Sequence, residues 1–193
     1  MATFGNANMI LGTPGGSYGV LDTNDAAGCL FTTPADCTAI TDIRFYCQGG
    51  PTNCKGVVWT TGGVFVGATN ANAAPASAAL TTFTFGSALS VSANTQYYFG
   101  LISGGNGTWG YYEAGSANQT AVDNAGTGAE NSYASPTTLE KDSELAWSVS
   151  LYMTYTAGGG ATTLTVGTSS YSISGAESNL LHGGHGWLRY RKP

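Results

Sequence analysis

The segment ITDIRFYC, residues 40–47, alternates: Ile43, Phe45 and Cys47 fall on one side of an extended chain and Asp42, Arg44 and Tyr46 on the other. Side chains of a strand point to opposite faces with a period of two, so this segment predicts a strand with one buried face. AWSVSLYMTYT (146–156) repeats the pattern, with Trp147, Val149, Leu151 and Met153 against Ser148, Ser150, Tyr152 and Thr154. Further short runs, ANMILG, YGVLD, GCLFTT, KGVVWTT, VFVGAT, TTFTFG, TQYYFGLIS and TWGYYEA, read as strands between clusters of Gly, Pro, Asn and Ser. No stretch holds a 3.6-residue apolar period with caps, so helices should be short or absent. The expected fold is all-β: an antiparallel, jelly-roll-like β-sandwich of about eight or more strands in two sheets.

The 193 residues suit one sandwich and an appendage. Residues 1–157 are read as the sandwich, 158–163 as a Gly-rich hinge and 164–193 as an extended C-terminal β-arm. Within the sandwich, 118–144 is the least strand-like stretch and is expected to cross one end. The arm's large apolar side chains are Leu164, Val166, Tyr171, Ile173, Leu180, Leu181, Trp187, Leu188 and Tyr190. Burying them returns less than the conformational entropy lost on ordering the arm, so a partner surface is expected to hold it. LTVGT and YSISG would then add as strands to a sheet, and Arg189, Arg191 and Lys192 would pair with acidic groups at the rim.

A formal net charge of −5 opposes binding to phosphate backbones, so no nucleic-acid partner is expected. Arg189, Arg191 and Lys192, half of the six cationic residues, are a local exception. The N-terminus lacks the basic and apolar regions of a Sec signal, and no apolar run approaches the roughly 20 residues that span a bilayer. Cys47 and Cys54 flank the turn-rich QGGPTN, which favours a Cys47–Cys54 bridge across two strands and leaves Cys29–Cys37 as the second. Buried thiols are the alternative, and the spacings lack the close pairs of a zinc site. Disulfides without an export signal fit a protein made in a cytoplasm and released by lysis.

The opening FGN, CLFTTPADCTAITDIRFYCQG (29–49), SALSVSANTQYYFGLIS (87–103) and AWSVSLYMTYT together resemble a family of β-sandwich domains frequent in bacteriophage structural proteins and in secreted bacterial proteins. TLTVGTSSYSISG (163–175) looks like the short strand modules appended to phage virion proteins. The resemblance implies a non-enzymatic virion protein that decorates a capsid, tail or fibre, with other virion subunits and copies of itself as partners. It also implies, as an alternative, a carbohydrate-binding module for host-surface or environmental glycan.

The residues themselves bring no catalytic constellation and call for no cofactor. The histidines, His182 and His185, lie beyond the hinge, and no GxSxG elbow is present. They are also poorly placed as metal ligands, with flexible glycines between them and no Cys or carboxylate cluster nearby. Glu113 has no obvious second carboxylate with which to hydrolyse a glycoside. Asp123, Asn124, Glu130 and Asn131 suit turns better than calcium, so no metal is expected. Trp109, Tyr111, Tyr112 and Glu113 form the candidate glycan site, because flat rings stack on sugar faces while polar neighbours satisfy hydroxyls. Alternation sends only one of Tyr111 and Tyr112 outward.

Overall fold

The computed structural model describes residues 1–49, 53–124, 132–158, 162–166 and 169–173, with backbone alone for Trp109 and for the last two segments. The chain divides into two compact units, Met1–Ala157 and Gly158–Pro193. The first runs β1 (Ala2–Gly5), α1 (Ala7–Ile10), β2 (Ser17–Leu21), β3 (Ala26–Thr32), β4 (Cys37–Gln48), β5 (Asn53–Thr60), β6 (Phe65–Ala68) and β7 (Asn72–Ala73). It continues with β8 (Ala79–Ser90), β9 (Gln96–Ser103), β10 (Thr108–Ala114), β11 (Thr120–Asp123), β12 (Ser143–Leu145), β13 (Trp147–Val149) and β14 (Leu151–Ala157).

These strands build two seven-stranded sheets. The first is ordered β1-β14-β4-β10-β13, with β2 also on β10 and β8 on β4; the second is ordered β12-β11-β3-β9-β5-β6, with β7 on β5. All pairings are antiparallel. The chain passes repeatedly from sheet to sheet, β3 to β4 to β5 and β8 to β9 to β10 to β11, as a jelly-roll-like sandwich requires.

The alternation in β4 sets the core. Ile43, Phe45 and Cys47 are buried between the sheets with Phe83, Phe99, Leu101, Leu151 and Met153. Strands β5 and β9 depart from alternation, because both of their faces are covered. Val57, Trp59, Tyr98 and Ile102 point away from the main core and pack with Ala26, Ala121 and Leu139 in a second cluster. The segment expected to cross one end of the sandwich supplies the cover over described residues 132–142. Trp59 Nε1 donates to the Thr137 carbonyl at 2.9 Å, Leu139 N to Gly63 at 2.8 Å, and Lys55 Nζ to Tyr133 at 2.8 Å. The reason is physical: two large rings on the outer face of a sheet need apolar cover.

Two further local expectations change. ANMILG forms α1 instead of a strand, because the Asn6 side chain accepts from Met9 N at 2.9 Å and caps a single helical turn. The closing run AWSVSLYMTYT breaks at buried Ser150 into β13, which pairs with β10, and β14, which pairs with β4 and β1. Ser150 N donates to Tyr111, its carbonyl accepts from Tyr46 N, and its hydroxyl accepts from Gly15 N.

The four cysteines are buried thiols, so neither the Cys47–Cys54 nor the Cys29–Cys37 bridge is present. Cys47 lies opposite Gly110 in the first sheet, whereas Cys54 lies opposite Ser103 in the second, so they are not cross-strand neighbours. Cys29 lies opposite Phe99 and Thr120, and three more residues of β3, about 10 Å of strand, separate it from the turn before Cys37. Burial pushes all four thiols upward, Cys47 to about 12, which keeps them protonated.

In the second unit β15 (Thr162–Val166) and β16 (Ser169–Ile173) pair antiparallel with each other, Leu164 opposite Tyr171 and Thr162 opposite Ile173. β15 thus begins within the expected hinge. Leu180, Leu181, His182, His185, Trp187, Leu188, Arg189, Tyr190, Arg191 and Lys192 lie outside the described residues.

Candidate functional site

Strand β10 pairs with β2, β4 and β13, and its alternation divides the expected aromatic group. Gly110 lies over the Phe45 ring on the inner side, and Tyr112 follows it inward to stack on Trp147 at 3.9 Å and 11°. Tyr111 points outward. The backbone of Trp109 lies between Val20 and Gln48, and its side chain is outside the described residues. Glu113 is a structural clamp: its carboxylate accepts from Asn6 Nδ2 at 2.9 Å and Asn8 Nδ2 at 2.7 Å, fastening α1 to β10.

Pairing across the outer face of the first sheet gathers side chains that are distant in sequence. Leu80 lies opposite Tyr46, and Tyr111 opposite Tyr18. The Tyr46 and Tyr111 rings meet at 5.1 Å and 77°, and those of Tyr18 and Tyr111 at 5.9 Å and 51°. The row Leu80–Tyr46–Tyr111–Tyr18 therefore crosses four strands, about 14 Å at the usual strand spacing. Its ends are accessible, with Tyr18 52%, Leu80 40% and neighbouring Val20 51% exposed.

Polar groups border this row. Tyr111 OH donates to Gln48 Oε1 at 3.3 Å. Arg44, opposite Thr82 and Tyr152, donates through Nε to Asp42 at 3.1 Å and through Nη1 to Tyr152 OH at 3.3 Å. The Tyr152 bond, more than the adjacent Asp42, holds the Arg44 guanidinium above its already high range, so its charge is permanent. Asp42 is fixed in turn by the Thr154 and Thr41 hydroxyls.

Because the rings are tilted or edge-to-face, the row forms a relief of ring edges and faces instead of a flat plate. Such a surface can take the C–H face of a sugar ring while the amide and guanidinium serve its hydroxyls. Among the described residues no group of three His, Cys, Asp or Glu side chains could hold a metal ion. In the Asx-rich stretch, Asp123 accepts from Glu140 N and Asp142 from Asn124 N, long-range bonds that tie the end of β11 to residues 140–142 instead of fixing a local turn; Glu130 and Asn131 lie outside the described residues.

The chain matches no family model and no curated protein. Among solved structures it is similar to the clostridial cysteine protease Cwp84 after propeptide cleavage. That match has a TM-score of 0.51 and 10% identity, over 72% of this chain and 37% of that one. A structure of the cysteine protease and lectin-like domains of Cwp84, a surface layer associated protein of Clostridium difficile, matches with a TM-score of 0.47 and 10% identity, over 73% and 36%. The chain thus spans little more than a third of these structures, and at this identity the likeness concerns the β-sandwich alone.

Tyr18, Tyr46, Gln48 and Arg44 were not among the sequence candidates. The alternation of ITDIRFYC already placed Arg44 and Tyr46 on the outer face, but local pattern carries no information that β10 lies between β4 and β2.

Proposed function

We propose that the chain is a non-enzymatic carbohydrate-binding β-sandwich, with the outer face of the first sheet as its recognition surface. The observation that carries this reading is the contrast between the two outer faces. The aromatic face of the second sheet is sealed beneath 132–142, whereas the row Leu80–Tyr46–Tyr111–Tyr18 keeps its ends open to solvent. Apolar rings beside an amide and a guanidinium form an amphipathic surface, suited to a ligand with both C–H faces and hydroxyls. A glycan array probed with the full chain should give saturable binding, and Tyr18→Ala or Tyr46→Ala should weaken it by roughly tenfold, the scale of one lost stacking contact. An array without hits, or both variants binding like wild type, refutes the reading.

The second unit favours a further role compatible with the first: attachment to a bacteriophage particle, with capsid, tail or fibre subunits and copies of the chain as partners. A two-stranded ribbon is marginal by itself. By register Leu164, Val166, Tyr171 and Ile173 occupy one side of the ladder and only Thr and Ser the other, apart from Thr162 and Ser169. The virion location rests on this ribbon and on the phage resemblance of 163–175. Removing residues 158–193 should leave a folded domain that no longer joins the particle; undiminished incorporation refutes the role.

A further inference from the structure

On its inner side, the same first sheet borders a separate cleft. It opens between β2 and β10 of one sheet and β11 and β12 of the other, with a volume of about 290 Å³. One end is closed by the chain itself, which steps from β12 to β13 across Ala146 alone, with Thr120 Oγ1 donating to the Trp147 carbonyl at 2.8 Å. Smallness defines the middle. Gly19 and Gly110 are cross-strand partners on the first sheet, and Ala27 and Val122 are cross-strand partners on the second. Phe45 and the stacked Tyr112–Trp147 pair supply aromatic walls.

A glycine within a strand forfeits packing and loses more entropy on folding than alanine, and it often marks a place where a ligand approaches closely. The two glycines differ here. A Cβ on Gly110 would press on the Phe45 ring at 3.2 Å, so Phe45 accounts for that glycine. A Cβ on Gly19 would meet only Trp147 at 3.7 Å and Tyr112 at 4.0 Å, ordinary contacts that leave its missing side chain unexplained by crowding.

We infer that this cleft is a binding slot for an uncharged, planar aromatic ring, inserted between Gly19–Gly110 and Ala27–Val122 and edged by Tyr112 and Trp147. Its volume equals about ten waters at ~30 Å³ each, which sets the ligand at about that many heavy atoms. None of the described lining residues is charged, so among them an ionised ligand would be desolvated without a partner. A ring suits a layer bounded by two sheets and gains ring–ring contact at the wall.

Indole, a neutral bicyclic ring of matching size, is the probe. Titrated into the full chain, it should shift the Gly19 and Gly110 amide resonances saturably, with a submillimolar Kd by calorimetry. Gly19→Val should weaken binding at least tenfold while leaving the melting temperature equal or higher, because the new side chain fills open space on an edge strand. Val122→Phe, filling the slot from the opposite sheet, should do the same, whereas Tyr18→Ala on the outer face should leave indole binding unchanged. The proposal is overturned by absence of saturable shifts, by full affinity in both filled variants, or by Gly19→Val lowering stability. Tighter binding of decanol than of indole would overturn the choice of a planar ring.

Discussion

Replacing Leu139 with alanine tests the least expected part of the architecture, the cover over the second sheet. Leu139 is 2% exposed and belongs to the cluster with Trp59 and Tyr98, although it comes from a segment without regular structure. The substitution removes three carbons, about 2.4 kcal/mol at ~0.8 kcal/mol per buried CH₂, and leaves a cavity against two rigid rings. About 3 kcal/mol should be lost, within the usual range for such changes. At about 2–4 °C per kcal/mol for a domain of this size, the melting temperature should fall by about 6–12 °C. Chemical and thermal denaturation of the full chain, followed by tryptophan fluorescence, would measure this, with Val64→Ala at a 59% exposed position as the reference. A loss below about 0.5 kcal/mol, the scale of surface substitutions, would refute the idea that 132–142 completes a core.

Glu113→Ala should cost about 1–2 kcal/mol, because Asn6 and Asn8 lose their shared acceptor, and should leave glycan affinity unchanged; denaturation paired with the array separates the two effects. Gly100→Ala should cost about 3 kcal/mol or more, or prevent folding, since the added Cβ would run into the Ala27 carbonyl where β9 pairs with β3; expression level and urea midpoint report it. Burial, helped by its bond to Asp36, raises the Tyr155 phenol to about 12 from an ordinary 10.0, and burial raises Cys47 to about 12 from 9.0. Between these values the folded chain keeps protons that the unfolded chain releases, so their stabilising effect is complete below pH 9 and is lost as the pH rises toward 12. Urea midpoints should fall over that interval, and Tyr155→Phe should flatten the part above pH 10.0.

The candidate site was legible only in fragments. TWGYYE marked β10 as an aromatic strand, and alternation required its two tyrosines to separate, as Tyr111 and Tyr112 do. Which one faced outward depended on how β10 packs, and Glu113 turned out to be occupied by Asn6 and Asn8 from the chain's beginning. The cysteine reading failed because a turn between two strand-like runs suggests a hairpin, whereas β4 and β5 belong to different sheets. ANMILG failed because a single capping side chain outweighed a short apolar run.

By itself the sequence determined the class of structure and most of the strands, since a period of two is a property of neighbouring residues and needs no knowledge of the rest of the chain. It also determined that Ile43, Phe45 and Cys47 of β4 enter the core, whereas Ile40 joins them only through the bulge between Ile40 and Asp42. Only the tertiary structure decided which strands lie side by side, and hence that Tyr18, Tyr46 and Tyr111 form one row, that Gly19 meets Gly110, and that 132–142 covers Trp59. Those contacts are set by pairing between distant segments, chosen by how two sheets bury their surfaces together, and no local window of residues contains that information.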